Sequence, residues 1–182
     1  MLRVEIPLMV APVGMQPGAY VPKAYAGLVT PTTTTAELEV ERARGWRVKL
    51  RWQASRPIRS LEGDPGRFVD ACAVLTGETL EAPWITMGMP NHAVVGALWR
   101  ADRPRPVRIR AQGLGTVERS DPPDGWRVAS AWADGLWQVD FEFPTFPELD
   151  LTRRLAVAVW QGAERERAGL KSVSNGWSLL DG

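Results

Sequence analysis

Between Trp46 and Gln53 every second side chain is apolar. Trp46, Val48, Leu50 and Trp52 fall on one face of an extended chain, and Arg47, Lys49, Arg51 and Gln53 on the other. A period of two is the pattern of a strand with one buried face, and a helix would scatter the same residues around its circumference. Similar runs recur at Glu37–Glu41, Phe68–Leu75, Val94–Trp99, Val107–Ala111, Trp126–Trp132, Trp137–Phe143 and Leu155–Trp160. Turn signals separate them: Gly63-Asp64-Pro65-Gly66, Pro104-Arg105-Pro106, Asp121-Pro122-Pro123-Asp124-Gly125 and Asp134-Gly135. The last, flanked by Ala133 and Leu136, predicts a tight hairpin between two Trp-bearing strands. Thr32–Thr35 fits a strand edge or loop, and the apolar N-terminus, broken by Glu5 and Pro7, reads as a first strand and is a poor signal peptide. Short strands with Pro/Gly punctuation and no helical period predict an all-β fold, an antiparallel β-sandwich or barrel.

The 182 residues suffice for one domain with a substantial core, and no linker divides them, so residues 1–182 are read as a single domain. A net charge of +1 lacks the basic excess that a nucleic-acid surface needs. No run approaches the length of a transmembrane helix. The single cysteine, Cys72, excludes an intramolecular disulfide, a four-cysteine zinc site and a C-x-x-C-H haem attachment; between Ala71 and Ala73 it reads as a small buried hydrophobe. The single histidine, His92, excludes a two-histidine metal or haem site. The carboxylates Asp70, Asp102, Asp121, Asp124 and Asp134 fall at strand ends and turns, as local hydrogen-bonding groups do. They form no acid–base pair, and no nucleophile triad or phosphate loop accompanies them. The nine tryptophans suit core packing in a sandwich; an aromatic platform for a sugar or planar cofactor is the alternative.

Two segments stand apart. In the stretch from Leu155 to Trp177, Leu155, Val157 and Val159 alternate with Ala156, Ala158 and Trp160. The chain then breaks at Gly162 into a charged excursion, Glu164 to Arg167, and returns through Gly169 to Lys171. Only Lys23, Lys49 and Lys171 are lysines, and Lys171 sits among Leu170, Ser172, Val173 and Ser174. A lysine there is either a solvated strand residue or an amine held neutral against a metal. The other segment places Met87-Gly88-Met89-Pro90 between two strands, where methionine either fills a gap beneath a loop or offers a thioether.

Three ordered blocks resemble the haem b-binding gamma subunits of molybdenum enzymes of the dimethyl sulfoxide reductase type, which include the third subunits of ethylbenzene dehydrogenase, chlorate reductase, selenate reductase and dimethyl sulfide dehydrogenase. The first block is Phe68-Val69-Asp70-Ala71-Cys72-Ala73-Val74. The second is Met87-Gly88 followed by Val94 and Trp99-Arg100-Ala101-Asp102. The third joins Ala133-Asp134-Gly135-x-Trp137-x-Val139 to Ala156-Val157-Ala158-Val159-Trp160-x-Gly162-Ala163 and Arg167-x-Gly169-x-Lys171-Ser172-Val173-Ser174-x-x-Trp177. The resemblance covers roughly residues 45–182. The sequence departs from the pattern at Arg100, where the family has lysine; at Ala97 and Leu98, where it has aromatics; at Phe141-Glu142-Phe143-Pro144, which lacks an arginine; and at the inserted Asn175-Gly176.

The resemblance implies a β-sandwich with one non-covalent haem b at one end or between the sheets, and Met87 and Lys171 as axial ligands of the iron. Met89 is the competing thioether and His92 the competing nitrogen donor. With both axial positions filled by protein, such a haem transfers electrons. The resemblance also implies docking on the iron–sulfur subunit of a complex with a molybdopterin catalytic subunit, exchange with an external carrier such as a c-type cytochrome or quinone-linked protein, and a periplasmic setting. The alternatives are a haem-free β-sandwich module that binds carbohydrate or protein, and a haem-less assembly subunit.

Overall fold

The computed structural model describes residues 1–15, 30–61 and 68–180. The turn signal Gly63-Asp64-Pro65-Gly66 and Lys23 lie outside them. The strands are β1 (Leu2–Val10), β2 (Thr35–Arg42), β3 (Trp46–Gln53), β4 (Ala71–Gly77), β5 (Gly88–Met89), β6 (His92–Arg100), β7 (Val107–Ala111), β8 (Glu118–Ser120), β9 (Arg127–Ala133), β10 (Leu136–Phe143), β11 (Arg154–Trp160), β12 (Ser172–Ser174) and β13 (Ser178–Leu179). Every run predicted from alternation is a strand, and Trp46–Gln53 and Val107–Ala111 have the predicted bounds. The elements not predicted are short: β5, β8, β12, β13 and the helix α1 (Pro147–Thr152). None is long enough to display a period.

All pairings are antiparallel, in the order β8-β7-β6-β4-β11-β12-β1-β2-β3-β10-β9. The sheet is continuous but curled into a half-barrel with two facing layers, the sandwich-like all-β fold that the punctuation predicts. β1 makes the corner: Leu2–Pro7 pair with β2, and Leu8–Val10 pair with β12 in the other layer. At the β9–β10 hairpin Ala133 pairs with Leu136, and both Asp134 (φ 51°) and Gly135 (φ 79°) are left-handed, as a two-residue primed turn requires.

The space between the layers is filled by Leu38, Val40, Val48, Leu50 and Val139 from one side and by Cys72, Val74, Val95, Leu155, Val157 and Val159 from the other. At its centre Trp99 meets Trp137 edge-on at 5.0 Å, and Trp52 stacks on Trp137 at 6.2 Å. Six of the nine tryptophans are buried (Trp46, Trp52, Trp84, Trp99, Trp126 and Trp137), which favours core packing over a ligand platform.

The layer containing β4, β6 and β11 is covered on both faces. Its inner face meets the aromatic core, while its outer face carries Ala71, Ala73, Leu75, Leu98, Ala156 and Ala158, packed into a second apolar cluster with Met87 and Trp84. Asp70 joins this layer to the rest. One carboxylate oxygen accepts the Gly162 amide (2.7 Å), and the other accepts the Ile58 amide (2.8 Å) and the Trp137 indole N–H (2.9 Å). The expectation of a local, turn-type role for Asp70 is therefore corrected. Its partners are remote in sequence, and it is buried at the joint of three segments. Burial raises its pKa, opposed by those three hydrogen bonds and by the charge of Arg59. Gly162 must be glycine for a related reason: the Phe68 amide donates to its carbonyl at 3.1 Å, and a Cβ would overlap the Phe68 carbonyl.

Replacing Asp70 by Ala leaves three buried donors without an acceptor, and is predicted to lower stability by about 3 kcal/mol or more. Chemical denaturation checks this, and a change under 1 kcal/mol would contradict it.

Candidate functional site

Strand register lays the outer face of this layer out as a grid. One row runs Arg119, Ile109, Gly96, Leu75, Ala156; the next Val107, Leu98, Ala73, Ala158, Val173; the third Arg100, Ala71, Trp160. Over this face lies a cavity of about 420 Å³, with Ala71, Ala73, Leu75, Leu98 and Ile109 as its floor. That volume is in the range of small-molecule and cofactor sites, and so is an apolar lining with few polar groups. The alanines keep the floor low, which suits a broad, flat ligand. The cavity lies outside the inter-layer core, on the opposite face of β4, β6 and β11.

Met87 and Lys171 both line it, and both also line a smaller crevice with Trp84, Leu114 and Val173. The fold thus brings together two residues from distant parts of the chain. Lys171 stands two residues before Val173, on the same face of the pleat, so its stem follows the apolar floor. Its Nζ lies 5.0 Å from the centroid of the Trp160 ring. The residue is partly buried, and desolvation lowers its pKa from 10.5 to about 8. Near neutral pH a free amine is therefore far more accessible here than on an exposed lysine.

Met87 is held by its backbone. Its amide donates to Trp84 O (2.8 Å), its carbonyl accepts from the Gly113 amide (3.0 Å), and its φ is 56°. Gly88 follows with φ 87°, and a Cβ on it would come within 2.6 Å of Ala111 O and 2.9 Å of His92 O. The Met-Gly pair is therefore a conformational unit in which glycine permits the turn that aims Met87 at the cavity. A left-handed non-glycine residue is the kind of strained position found at ligand clamps. Met89 lies outside the cavity lining and is 39% exposed. His92 is also off the cavity, its Nδ1 2.8 Å from Thr79 Oγ1. Among the described residues no group of three or more His, Cys, Asp or Glu side chains could hold a metal ion. The soft and nitrogen donors facing the cavity are Met87 and Lys171.

Alternation marked β4 and β11 as strands without showing the cavity on their outer face; of three charged features of its wall, Arg100 was noted only as a departure from the family pattern, and Arg119 and Glu166 were given no role. Arg100 makes a two-pronged ion pair with Asp102 (Nε–Oδ1 3.0 Å, terminal nitrogen–Oδ2 2.7 Å). Arg119 comes from the short edge strand β8. Glu166, inside the charged excursion, is buried with Oε2 accepting the Gln161 amide at 2.7 Å. Burial raises its carboxyl to about 7, with the negative charges of Glu164 and Asp70 acting the same way and hydrogen bonds from Gln161 and Thr32 opposing.

No family model matches the chain. Curated relatives do. A protein of Haloferax mediterranei named as a respiratory nitrate reductase heme subunit is 31% identical over 173 residues, covering 87% of this chain and 62% of its own length. The chlorate reductase subunit gamma of Ideonella dechloratans is 30% identical over 144 residues, covering 73% of this chain and 58% of its own. The dimethylsulfide dehydrogenase subunit gamma of Rhodovulum sulfidophilum is 30% identical over 150 residues, covering 71% and 53% respectively. This chain is similar to these heme and gamma subunits. It spans between 53% and 62% of the length of these relatives. The resemblance read from its three sequence blocks is therefore met by relatives of the same kind.

Glu166 supplies a test of the cavity wall. Its folded carboxyl keeps a proton to higher pH than the unfolded one, so the folded chain binds more protons between pH 4.5 and about 7, and stability falls as pH rises across that window. Glu166→Gln is predicted to remove that fall, flattening the profile by roughly 3 kcal/mol. Asp70, also raised, keeps its own slope in both proteins. Equal slopes in denaturation series from pH 4.5 to 7.5 would contradict the burial of Glu166.

Proposed function

We propose that this chain is a haem-carrying electron-transfer subunit of a molybdopterin oxidoreductase complex, with one non-covalent haem b in the cavity and Met87 and Lys171 as axial ligands. The observation that carries the reading is that a thioether and a low-pKa amine face one apolar cavity in a chain similar to gamma and heme subunits. The donor chemistry fits a porphyrin iron: a thioether and a neutral amine are both low-spin ligands, and the floor of alanines and leucines suits an apolar macrocycle. Bound there, haem would supply a one-electron carrier whose potential a thioether ligand raises.

The chain's own residues do the rest. The backbone hydrogen bonds of Met87 hold the main chain from which its thioether enters the cavity. The apolar wall favours the uncharged amine of Lys171, the form that has a lone pair to give. With both donors from protein no open coordination position is left for substrate, so the subunit passes electrons and breaks no bonds. Its partners on this reading are the iron–sulfur subunit and the molybdopterin catalytic subunit, with an external carrier such as a c-type cytochrome or quinone-linked protein. The setting is periplasmic, as the family resemblance implies. Among the described residues no helix is long and apolar enough to cross a membrane.

Purified protein reconstituted with haem is predicted to show a Soret band and sharp low-spin visible bands on reduction. Lys171→Ala and Met87→Ala should each lose haem or shift it to high spin, while Met89→Ala and His92→Ala should keep the wild-type spectrum. A wild-type spectrum from Lys171→Ala or Met87→Ala would remove that residue as a ligand, and a chain that takes up no haem would return the account to a haem-free module or assembly subunit.

A further inference from the structure

Arg100 and Arg119 give the cavity a cationic edge that axial ligation does not use. On its outer-face grid the apolar positions occupy the middle of the rows, and two of the three rows end in a guanidinium toward β8: Arg119 beyond Ile109, and Arg100 beyond Ala71. We propose that this edge takes the two carboxylates of the porphyrin, so that Arg100 and Arg119 orient it with its apolar side over the alanine floor. The proposal rests on the functional reading above and adds the direction in which the ligand lies.

Three observations support this edge over the opposite one. First, Asp102 engages Nε and one terminal nitrogen of Arg100, which fixes the plane of a guanidinium already lining the cavity. Second, Arg119 is exposed and makes no ion pair with any acidic side chain among the described residues, so its charge is available to an incoming anion. Third, the wall that carries Arg167 also holds a buried carboxyl, Glu166, and the Arg167 guanidinium is already engaged, lying over the Phe68 ring at 4.6 Å and donating to Arg165 O at 3.0 Å. Carboxylates placed there would meet a like group in a desolvated setting, which is unfavourable. Guanidinium forks match carboxylate geometry, whereas a planar apolar ring gains nothing from them. The arginines therefore distinguish the acid form of the ligand from its ester.

The test compares haemin with its dimethyl ester, each titrated into wild-type, R119Q, R100Q/R119Q and R100K/R119K proteins, with binding read from the Soret band. Wild type is expected to prefer haemin. R119Q should lose part of that preference, and the double glutamine variant about tenfold in haemin affinity, with the ester unaffected. The double lysine variant, which keeps both charges but loses both forks, should fall between wild type and the double glutamine variant. Should loss of the Arg100–Asp102 pair unfold the double glutamine variant, R119Q, whose guanidinium has no ion pair to lose, carries the same comparison. Equal binding of haemin and ester by wild type overturns the edge assignment while leaving haem binding intact, and so does equal weakening of both ligands in the variants. Failure of wild type to bind either porphyrin overturns both the functional reading and this inference.

Discussion

The structure depends on one layer being apolar on both faces. In most antiparallel sheets with alternating sequence, one face is buried and the other meets water. Here β2, β3 and β10 follow that rule, with charged pairs such as Arg51–Glu37 and Lys49–Asp140 on their outer faces. β4 and β11 do not: they are buried along nearly their whole length. Their inner residues complete the tryptophan core, and their outer residues, small and apolar, form a surface that water does not favour. The loops around Met87, Leu114 and Lys171 enclose that surface without filling it.

The joint between core and cavity is polar. Asp70 binds the Trp137 indole at the centre of the core and the Gly162 amide at the start of the loop that leads to Lys171. Gln161 extends the same contact, donating from its side chain to Thr33 Oγ1 at 2.8 Å and to Gln53 O at 3.0 Å, while its amide donates to Glu166. Asp70, Gln161 and Glu166 thus each have hydrogen-bond partners at this joint, as low-dielectric surroundings demand. A ligand at Lys171 is therefore mechanically continuous with the inter-layer core, and the loop bearing the amine is set by hydrogen bonds remote from it.

The fold was legible where strands are long enough to show a period: β3, β7, β10 and β11 could be read residue by residue. The short segments β8, β12 and α1 could not, because three to six residues fit several patterns and their positions are set by tertiary contacts. Lys171 was visible as an odd lysine, and Met87 as a methionine in a Gly/Pro-bounded loop, but nothing local in either segment says that they face one cavity. The charged wall was hidden for the same reason: Glu166 lies in a run that looks solvated, and only the folded loop turns it inward. Alternation in β4 and β11 marked the strands that carry the cavity floor, but not the cavity above them.

The central claim is that the Lys171 amine and the Met87 thioether bind the same haem iron. Pulsed electron paramagnetic resonance of ferric, haem-loaded protein with ¹⁵N-labelled lysine measures it directly. The account predicts strong coupling of one lysine nitrogen to the iron, absent from Lys171→Ala. A low-spin ferric haem with no lysine coupling would contradict it.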